Sequence, residues 1–200
     1  MNKHFLIIAL CAMLFATCWY DTAHAHVFTE PLNHWVQHYI QSSGGGLYHQ
    51  GLLYLTDLAR DIYFLIISGL ICLFVVYKKE YKTLAYCIVS LIVIVGLTTL
   101  IKHHVYSPRP IPYNLEHDSF PSGHTMRATL YCGLLLFINE LKVTTLSKSW
   151  RYFLILIPIL VGFSRLGLGR HWLSDVIAAF SLTIGVLLFV HAIRTRGSSL

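Results

Sequence analysis

The hydrophobic positions of this chain fall into long runs that are separated by short polar connections. Each run predicts one helix, and a helix needs about 20 residues to cross the ~30 Å hydrocarbon core of a bilayer, so two of the runs are short for a complete span. The pattern therefore predicts an all-α fold, an integral-membrane helical bundle with five or six transmembrane helices. The runs cover residues 5–20, 62–77, 83–101, 122–141, 152–163 and 172–193.

The first run allows two interpretations. It follows a short basic start and precedes Ala23-His24-Ala25, which has the small-x-small pattern of a signal-peptide cleavage site. Residues 1–25 are therefore either a signal peptide or the first transmembrane helix, and the shortness of the run favours the signal peptide.

The next segment, residues 26–50, is polar but carries apolar residues at helical spacing. This pattern predicts an exported amphipathic helix that lies on the membrane surface and ends at Gly44-Gly45-Gly46, and a loop is the alternative. Residues 51–200 then form the transmembrane domain. The apolar positions of the segment are Trp35, Val36, Tyr39 and Ile40.

The composition is that of a membrane protein. Hydrophobic residues make up 56% of the chain and charged residues 12%, which is far outside the range of soluble domains. The net charge of +6 does not indicate nucleic-acid binding, because the basic residues form no continuous stripe. The five cysteines lie within apolar runs and lack the spacing of a zinc site, which predicts buried free thiols.

The basic residues assign the connections to two membrane faces. The connections that follow residues 62–77, 122–141 and 172–193 are rich in Lys or Arg, so the positive-inside rule makes them cytoplasmic. The connections 102–121 and 164–171 then share the exported face, although they also carry Lys and Arg. Basic residues on that face need another reason, and an anionic ligand provides one.

Three polar clusters lie in or beside the exported connections. The second cluster is typical of a helix N-terminus, where free N–H groups and the helix dipole bind anions. In the third, a helix that begins near Trp172 places His171 and Asp175 on one face, so that the carboxylate fixes the tautomer of a nucleophilic or basic imidazole. The clusters are Lys102-x6-Arg109-Pro110, Pro121-Ser122-Gly123-His124 and Ser164-Arg165-x5-His171-x3-Asp175.

These clusters, in this order and spacing, resemble the motifs of the type 2 phosphatidic acid phosphatase superfamily, membrane lipid phosphatases related to vanadium-dependent haloperoxidases. The resemblance implies that His171 attacks phosphorus, that Asp175 orients it, and that His124 protonates the leaving oxygen and then activates water. It implies no metal or cofactor, since three permanent cations supply the positive charge. The residues implied to bind the phosphate are Lys102, Arg109, Ser122, Gly123 and Arg165.

Three residues beside the clusters are less defined. Arg127 lies one turn beyond His124, so it either extends the phosphate pocket or pairs with an acidic residue such as Asp118. Arg170 is expected to contact a headgroup or the membrane interface. Trp172 is expected to belong to the aromatic belt of the membrane.

The expected function is hydrolysis of a lipid phosphate or diphosphate by a multi-pass enzyme at the periplasmic face of a bacterial inner membrane. Undecaprenyl diphosphate, phosphatidylglycerol phosphate, phosphatidic acid and lipid A phosphate all fit. A lipid phosphotransferase that uses the same site is one alternative, and a non-catalytic anionic-lipid binding or transport protein is another. The lipid substrate and the bilayer are the expected partners, without nucleic acid or an obligatory protein partner.

Overall fold

The computed structural model of the protein describes residues 3–24, 26, 29–42, 46–111 and 118–196. Within these residues the chain forms eight helices and no strand, which confirms the all-α prediction. The helices are α1 (Lys3–Ala23), α2 (Glu30–Ser42), α3 (Gly46–Asp57), α4 (Asp61–Tyr77), α5 (Tyr81–His104), α6 (Gly123–Glu140), α7 (Lys148–Gly167) and α8 (Leu173–Arg196).

Several of these helices can cross a membrane. Helices α1, α5, α7 and α8 are long and apolar enough to do so individually. Helices α3 and α4 are separated by a short break and are bent by 41° relative to each other. Counted together, they form a fifth candidate span. The predicted membrane bundle is therefore confirmed, with five spans on this count.

Helix α6 lies at the centre of the bundle. It packs against α4, α5, α7 and α8, and its Ala128, Leu130 and Leu134 are completely buried. The buried Thr129 hydroxyl donates a hydrogen bond to the carbonyl of Thr125, one turn earlier, at 2.7 Å. The packing of α6 on four other helices places its N-terminus inside the bundle.

Helix α1 is packed along α8. A Cβ atom added to Gly185 of α8 would lie 3.2 Å from the Cβ of Cys11, so the two helices approach closely at this point. Nearer the C-terminal end of α1, Cys18 packs with Phe120 and Ala178. All five cysteines are free thiols and four of them are buried.

Helices α2 and α3 cover the last turns of α7. Val36 of α2 is buried in a cluster with Leu166, whereas Trp35 and Tyr39, two other apolar positions of the predicted helix, are exposed. Gly44-Gly45, where this helix was predicted to end, lie outside the described residues. The next helix, α3, begins at Gly46 and runs past the predicted domain boundary at residue 50.

The two ends of the bundle differ in chemistry. The C-terminal ends of α3, α5 and α7 meet the N-terminal ends of α4, α6 and α8 around one cavity. The basic connections 78–82 and 142–151, together with Arg194, therefore lie at the opposite end. This arrangement separates the cavity from the residues that the positive-inside rule assigns to the cytoplasm.

Candidate active site

A cavity of about 630 Å³ opens where the six helix termini meet. Six of the eight predicted site residues line it, although the three clusters that contain them are far apart in the sequence. The other two, Ser122 and Asp175, are completely buried beside it. The six lining residues are Lys102, Arg109, Gly123, His124, Arg165 and His171.

His171 and Asp175 form a pair at the start of α8. The Nδ1 atom of His171 lies 3.2 Å from Oδ2 of Asp175, and the same oxygen accepts a hydrogen bond from the backbone N–H of Trp172 at 2.9 Å. Both side chains of the pair are buried. The carboxylate favours the tautomer with the proton on Nδ1, which leaves the Nε2 lone pair for the cavity.

The surroundings of His171 keep its imidazole neutral. Burial lowers the pKa of His171 well below its ordinary value, and the positive charges of Arg165, Arg109 and Lys102 lower it further. A neutral imidazole has the lone pair that nucleophilic attack requires. The same cations that lower this pKa also attract an anionic substrate.

Arg165 is a buried cation, with 2% of its surface exposed. Its Nη1 donates a hydrogen bond to the hydroxyl of Thr56 at 2.7 Å, whereas its Nε has no hydrogen-bond partner among the described residues. Burying a charge and a donor without partners is costly, and an anion bound in the cavity offsets this cost. The planar fork of a guanidinium also matches the oxygens of a phosphate group.

Lys102 and Arg109 add positive charge to the cavity wall. The Nζ of Lys102 donates a hydrogen bond to the carbonyl of Asp118 at 2.7 Å, and the Nη1 of Arg109 donates one to the carbonyl of Arg170 at 2.9 Å. A carbonyl acceptor orients a cation but carries no charge of its own. These two residues and Arg165 are three of the six Lys and Arg residues that line the cavity, and the others are Arg60, Arg127 and Arg170.

The N-terminus of α6 brings Gly123 and His124 to the cavity wall. Ser122 occupies the N-cap position of α6 without a side-chain capping hydrogen bond, and its buried hydroxyl lies 2.9 Å from the hydroxyl of Thr125. Its predicted contact with phosphate stays a prediction. A Cβ atom added to Gly123 would have no atom within 4 Å, so the space above this residue is open for a ligand to reach the backbone.

Substituting alanine for Gly123 is expected to weaken phosphate binding without damaging the fold. The new methyl group would occupy space that a phosphate needs, and we expect KM to rise about tenfold, the cost of one hydrogen bond to a charged group. Gly69→Ala is the matched control, because Gly69 is an exposed helical glycine with equally open space around its Cβ position. Equal kinetics for the two variants would remove Gly123 from the phosphate site.

The rim of the cavity contains paired charges. Arg127 binds Asp61, at 2.5 Å between Nη2 and Oδ1, and Arg60 lies 3.8 Å from Asp57. Arg127 also lines the cavity, and its acidic partner is Asp61 in place of Asp118, whereas its contact with phosphate stays a prediction. The contact of Arg127 with Asp61 joins the α3–α4 bend to the central helix.

Helices α3 and α4 and the break between them contribute residues to the cavity that were not predicted from the sequence. They are Leu53, Thr56, Asp57, Arg60 and Asp61. A signal for them exists, since residues 56–61 place four polar side chains directly before an apolar run, as the second and third clusters do. No spacing rule connects this segment to the others, because its contacts depend on how the helices pack.

Taken with this fold, the sequence identifies the class of protein: the chain belongs to the PAP2 superfamily, whose sequence model matches residues 83–198. The matched region contains all eight predicted site residues. Phosphatidylglycerophosphatase B of Bacillus subtilis (strain 168) is 36% identical to the chain over 99 residues. That alignment covers 46% of this chain and 48% of the relative, so it spans about half the length of each protein.

Two solved structures share the fold. The crystal structure described as the first transmembrane PAP2 type phosphatidylglycerolphosphate phosphatase from Bacillus subtilis covers 98% of both chains, with a TM-score of 0.76 and 21% sequence identity. The structure of Aquifex aeolicus LpxE covers 82% of this chain and 95% of its own, with a TM-score of 0.57 and 20% identity. The predicted resemblance and the predicted fold are thus confirmed.

Proposed function

We propose that the protein is a membrane lipid phosphatase that releases inorganic phosphate through a phosphohistidine formed on His171. The observation that carries this proposal is the buried pair of His171 and Asp175, in which His171 lines the same cavity as Lys102, Arg109 and Arg165. A protein that only bound anionic lipids would need the cations but not an oriented, neutral imidazole. Membership of the PAP2 superfamily supports the same activity.

In the proposed first step, Nε2 of His171 attacks phosphorus and the P–O bond to the lipid breaks as the P–N bond forms. His124 donates a proton to the leaving oxygen, so the lipid departs as an alcohol, or as a monophosphate when the substrate is a diphosphate. Lys102, Arg109 and Arg165 stabilise the negative charge that redistributes over the non-bridging oxygens.

In the second step, water attacks the phosphohistidine. His124, which has lost its proton, now accepts one from the water as the new P–O bond forms. The P–N bond breaks, inorganic phosphate leaves, and His171 returns to its neutral state. Asp175 stabilises the positive charge of the phosphorylated imidazole between the two steps.

The proposed substrate is a lipid with a terminal phosphate monoester, and phosphatidylglycerol phosphate is the first candidate. The name of the 36% identical relative, phosphatidylglycerophosphatase B, supports this choice. The cavity is proposed to face the periplasm, because the basic connections lie at the opposite end of the bundle. Helix α1 is proposed to be retained as the first transmembrane helix, because it packs along α8.

Phosphate release by detergent-purified protein tests the proposal. The assay contains EDTA and compares phosphatidylglycerol phosphate with phosphatidic acid, undecaprenyl diphosphate and lipid A. We expect release that continues in EDTA and disappears in His171→Ala. Loss of release in EDTA would refute the metal-independent mechanism. Consumption of the lipid without free phosphate would identify a phosphotransferase, and binding without turnover would identify a lipid-binding protein.

The lowered pKa of His171 predicts activity in mildly acidic solution. The ordinary histidine pKa is 6.5, so the folded protein keeps His171 neutral as the pH falls through that value, and kcat/KM is not lost there through this group. Arg109→Gln removes one positive charge that lowers the pKa of His171. The acid limb of the kcat/KM profile of this variant is therefore expected to lie at higher pH than that of the wild type. The same substrate is used for both proteins, so that its own ionisation cancels. An acid limb that stays in place or moves to lower pH would contradict this prediction.

A further inference from the structure

The first turn of α8 lacks a cap from its own preceding residue. The helix begins at Leu173, and the residue before it is Trp172. The tryptophan side chain has only a donor, so it cannot accept a hydrogen bond from the free N–H groups of the first turn. Asp175 accepts the N–H of Trp172, which leaves the N–H of Leu173 to be satisfied from elsewhere.

Asn33 of α2 supplies this missing acceptor. Its Oδ1 accepts a hydrogen bond from the backbone N–H of Leu173 at 3.0 Å, across 140 residues of the chain. Only 1% of Asn33 is exposed. Its Nδ2 donates to the hydroxyl of Thr29 at 2.9 Å, and that hydroxyl donates in turn to Asp21 at the end of α1. The acceptor is therefore fixed in direction by a chain of hydrogen bonds.

A second contact joins the same region to the start of α8. The Nδ1 of His26 lies 3.2 Å from the hydroxyl of Ser174, and its ring centroid is 5.1 Å from that of Trp172. His26 thus touches the residues on both sides of Leu173. These contacts lie outside the cavity, because neither His26 nor Asn33 lines it.

We propose that Asn33 is a positioning residue for the reaction, since its cap on Leu173 fixes the direction of the His171 nucleophile. Leu173 lies midway between His171 and Asp175, so any shift of this turn moves both members of the pair. The cations that bind the phosphate are on other elements: Lys102 is on α5, Arg165 is on α7, and Arg109 is in the connection after α5. The inference rests on the proposed phosphatase activity and adds a residue that the family motifs do not contain.

The kinetic test compares Asn33→Ala and Asn33→Asp with the wild-type protein. Asn33→Ala is expected to lower kcat about 10- to 100-fold, since a displacement of about 1 Å costs up to about 100-fold, while KM changes less than about threefold. Asn33→Asp is expected to recover most of kcat, because its carboxylate accepts the same hydrogen bond and suits a helix N-terminus. His38→Ala is the control, because His38 is exposed on the same helix.

Hydrogen exchange separates this inference from the proposed function. In Asn33→Ala, the amides of residues 171–176 are expected to exchange faster than in the wild type, whereas those of α5 are unchanged. A wild-type protein without phosphatase activity would refute the proposed function, and the exchange rates would still report on the cap. If Asn33→Ala does not fold, Asn33→Leu replaces it, since leucine has a similar size and no acceptor. An unchanged kcat in Asn33→Ala or Asn33→Leu would overturn the inference, and so would an effect on KM alone. A kcat of Asn33→Asp that is no higher than that of Asn33→Ala would also overturn it.

Discussion

His171→Ala is expected to lower phosphate release by roughly 10⁴-fold or more, because the nucleophile and the covalent intermediate are both lost. The variant is expected to fold, since Asp175 keeps the hydrogen bond from the backbone N–H of Trp172 when the imidazole is removed. The measurement is initial-rate phosphate release together with the thermal unfolding midpoint. Loss of activity with an unchanged unfolding midpoint identifies a chemical role.

His103→Ala is the matched control for this variant. His103 is an exposed histidine at the end of α5, close in sequence to Lys102 but absent from the lining of the cavity. It is expected to retain wild-type kinetics. Rapid quenching with a radiolabelled substrate should trap an acid-labile phosphoryl group on the wild-type protein and none on His171→Ala. Phosphate release at more than about one per cent of the wild-type rate by a folded His171→Ala protein would exclude the covalent mechanism.

Arg165→Lys is expected to have the second largest effect, a loss of roughly 10²- to 10³-fold in kcat. The guanidinium uses Nη1 to bind Thr56 and still has further donors for the phosphate. An ammonium group is a point charge on a flexible chain, so it cannot hold Thr56 and offer a planar fork to the substrate at once. Charge is conserved in this variant, and the loss therefore measures geometry alone.

Arg151→Lys is the control for Arg165→Lys. Arg151 is exposed in the first turn of the same helix, at the opposite end from the cavity, so this substitution is expected to be silent. Both variants are assayed for kcat, KM and thermal unfolding. Wild-type kcat in Arg165→Lys would show that positive charge is sufficient at this position, and the proposed bidentate contact with phosphate would have to be abandoned.

The predictable part of the site consists of residues whose chemistry conflicts with their surroundings. Lys102, Arg165 and His171 lie next to apolar runs, where an ionisable group is costly unless a partner or ligand stabilises it. The spacing of His171 and Asp175 also encodes their contact, because residues four apart lie on one face of a helical turn. Local chemistry and helical periodicity were therefore sufficient for these residues.

Contacts between distant elements could not be predicted in the same way. The hydrogen bonds of Thr56 with Arg165 and of Asn33 with Leu173 cross 109 and 140 residues of the chain. No local pattern predicts either contact, since both contacts depend on which helices become neighbours. A sequence motif also does not determine where the Ser122 hydroxyl points. Rotation about one side-chain bond directs it either to a ligand or to the neighbouring hydroxyl of Thr125.

Helix α3 was missed for a different reason. Its sequence mixes apolar residues with His49 and Gln50, and no proline separates it from α4. Its packing on α7 compensates for this weak local pattern, because tertiary contacts override propensity in short helices. The break between α3 and α4 is the part of the membrane bundle that hydropathy describes least well, and it supplies the rim of the cavity.

The packing of α1 along α8 has a consequence for the biogenesis of the protein. These are the first and the last of the described helices, so on the proposal that α1 is retained, a nascent chain must hold α1 in the membrane until every helix between them has been synthesised. The start of α8 also carries Asp175 and follows His171. Closure of the bundle and formation of the His171–Asp175 contact therefore belong to one late event, and a chain whose last helix has not inserted contains Lys102, Arg109 and Arg165 without this pair.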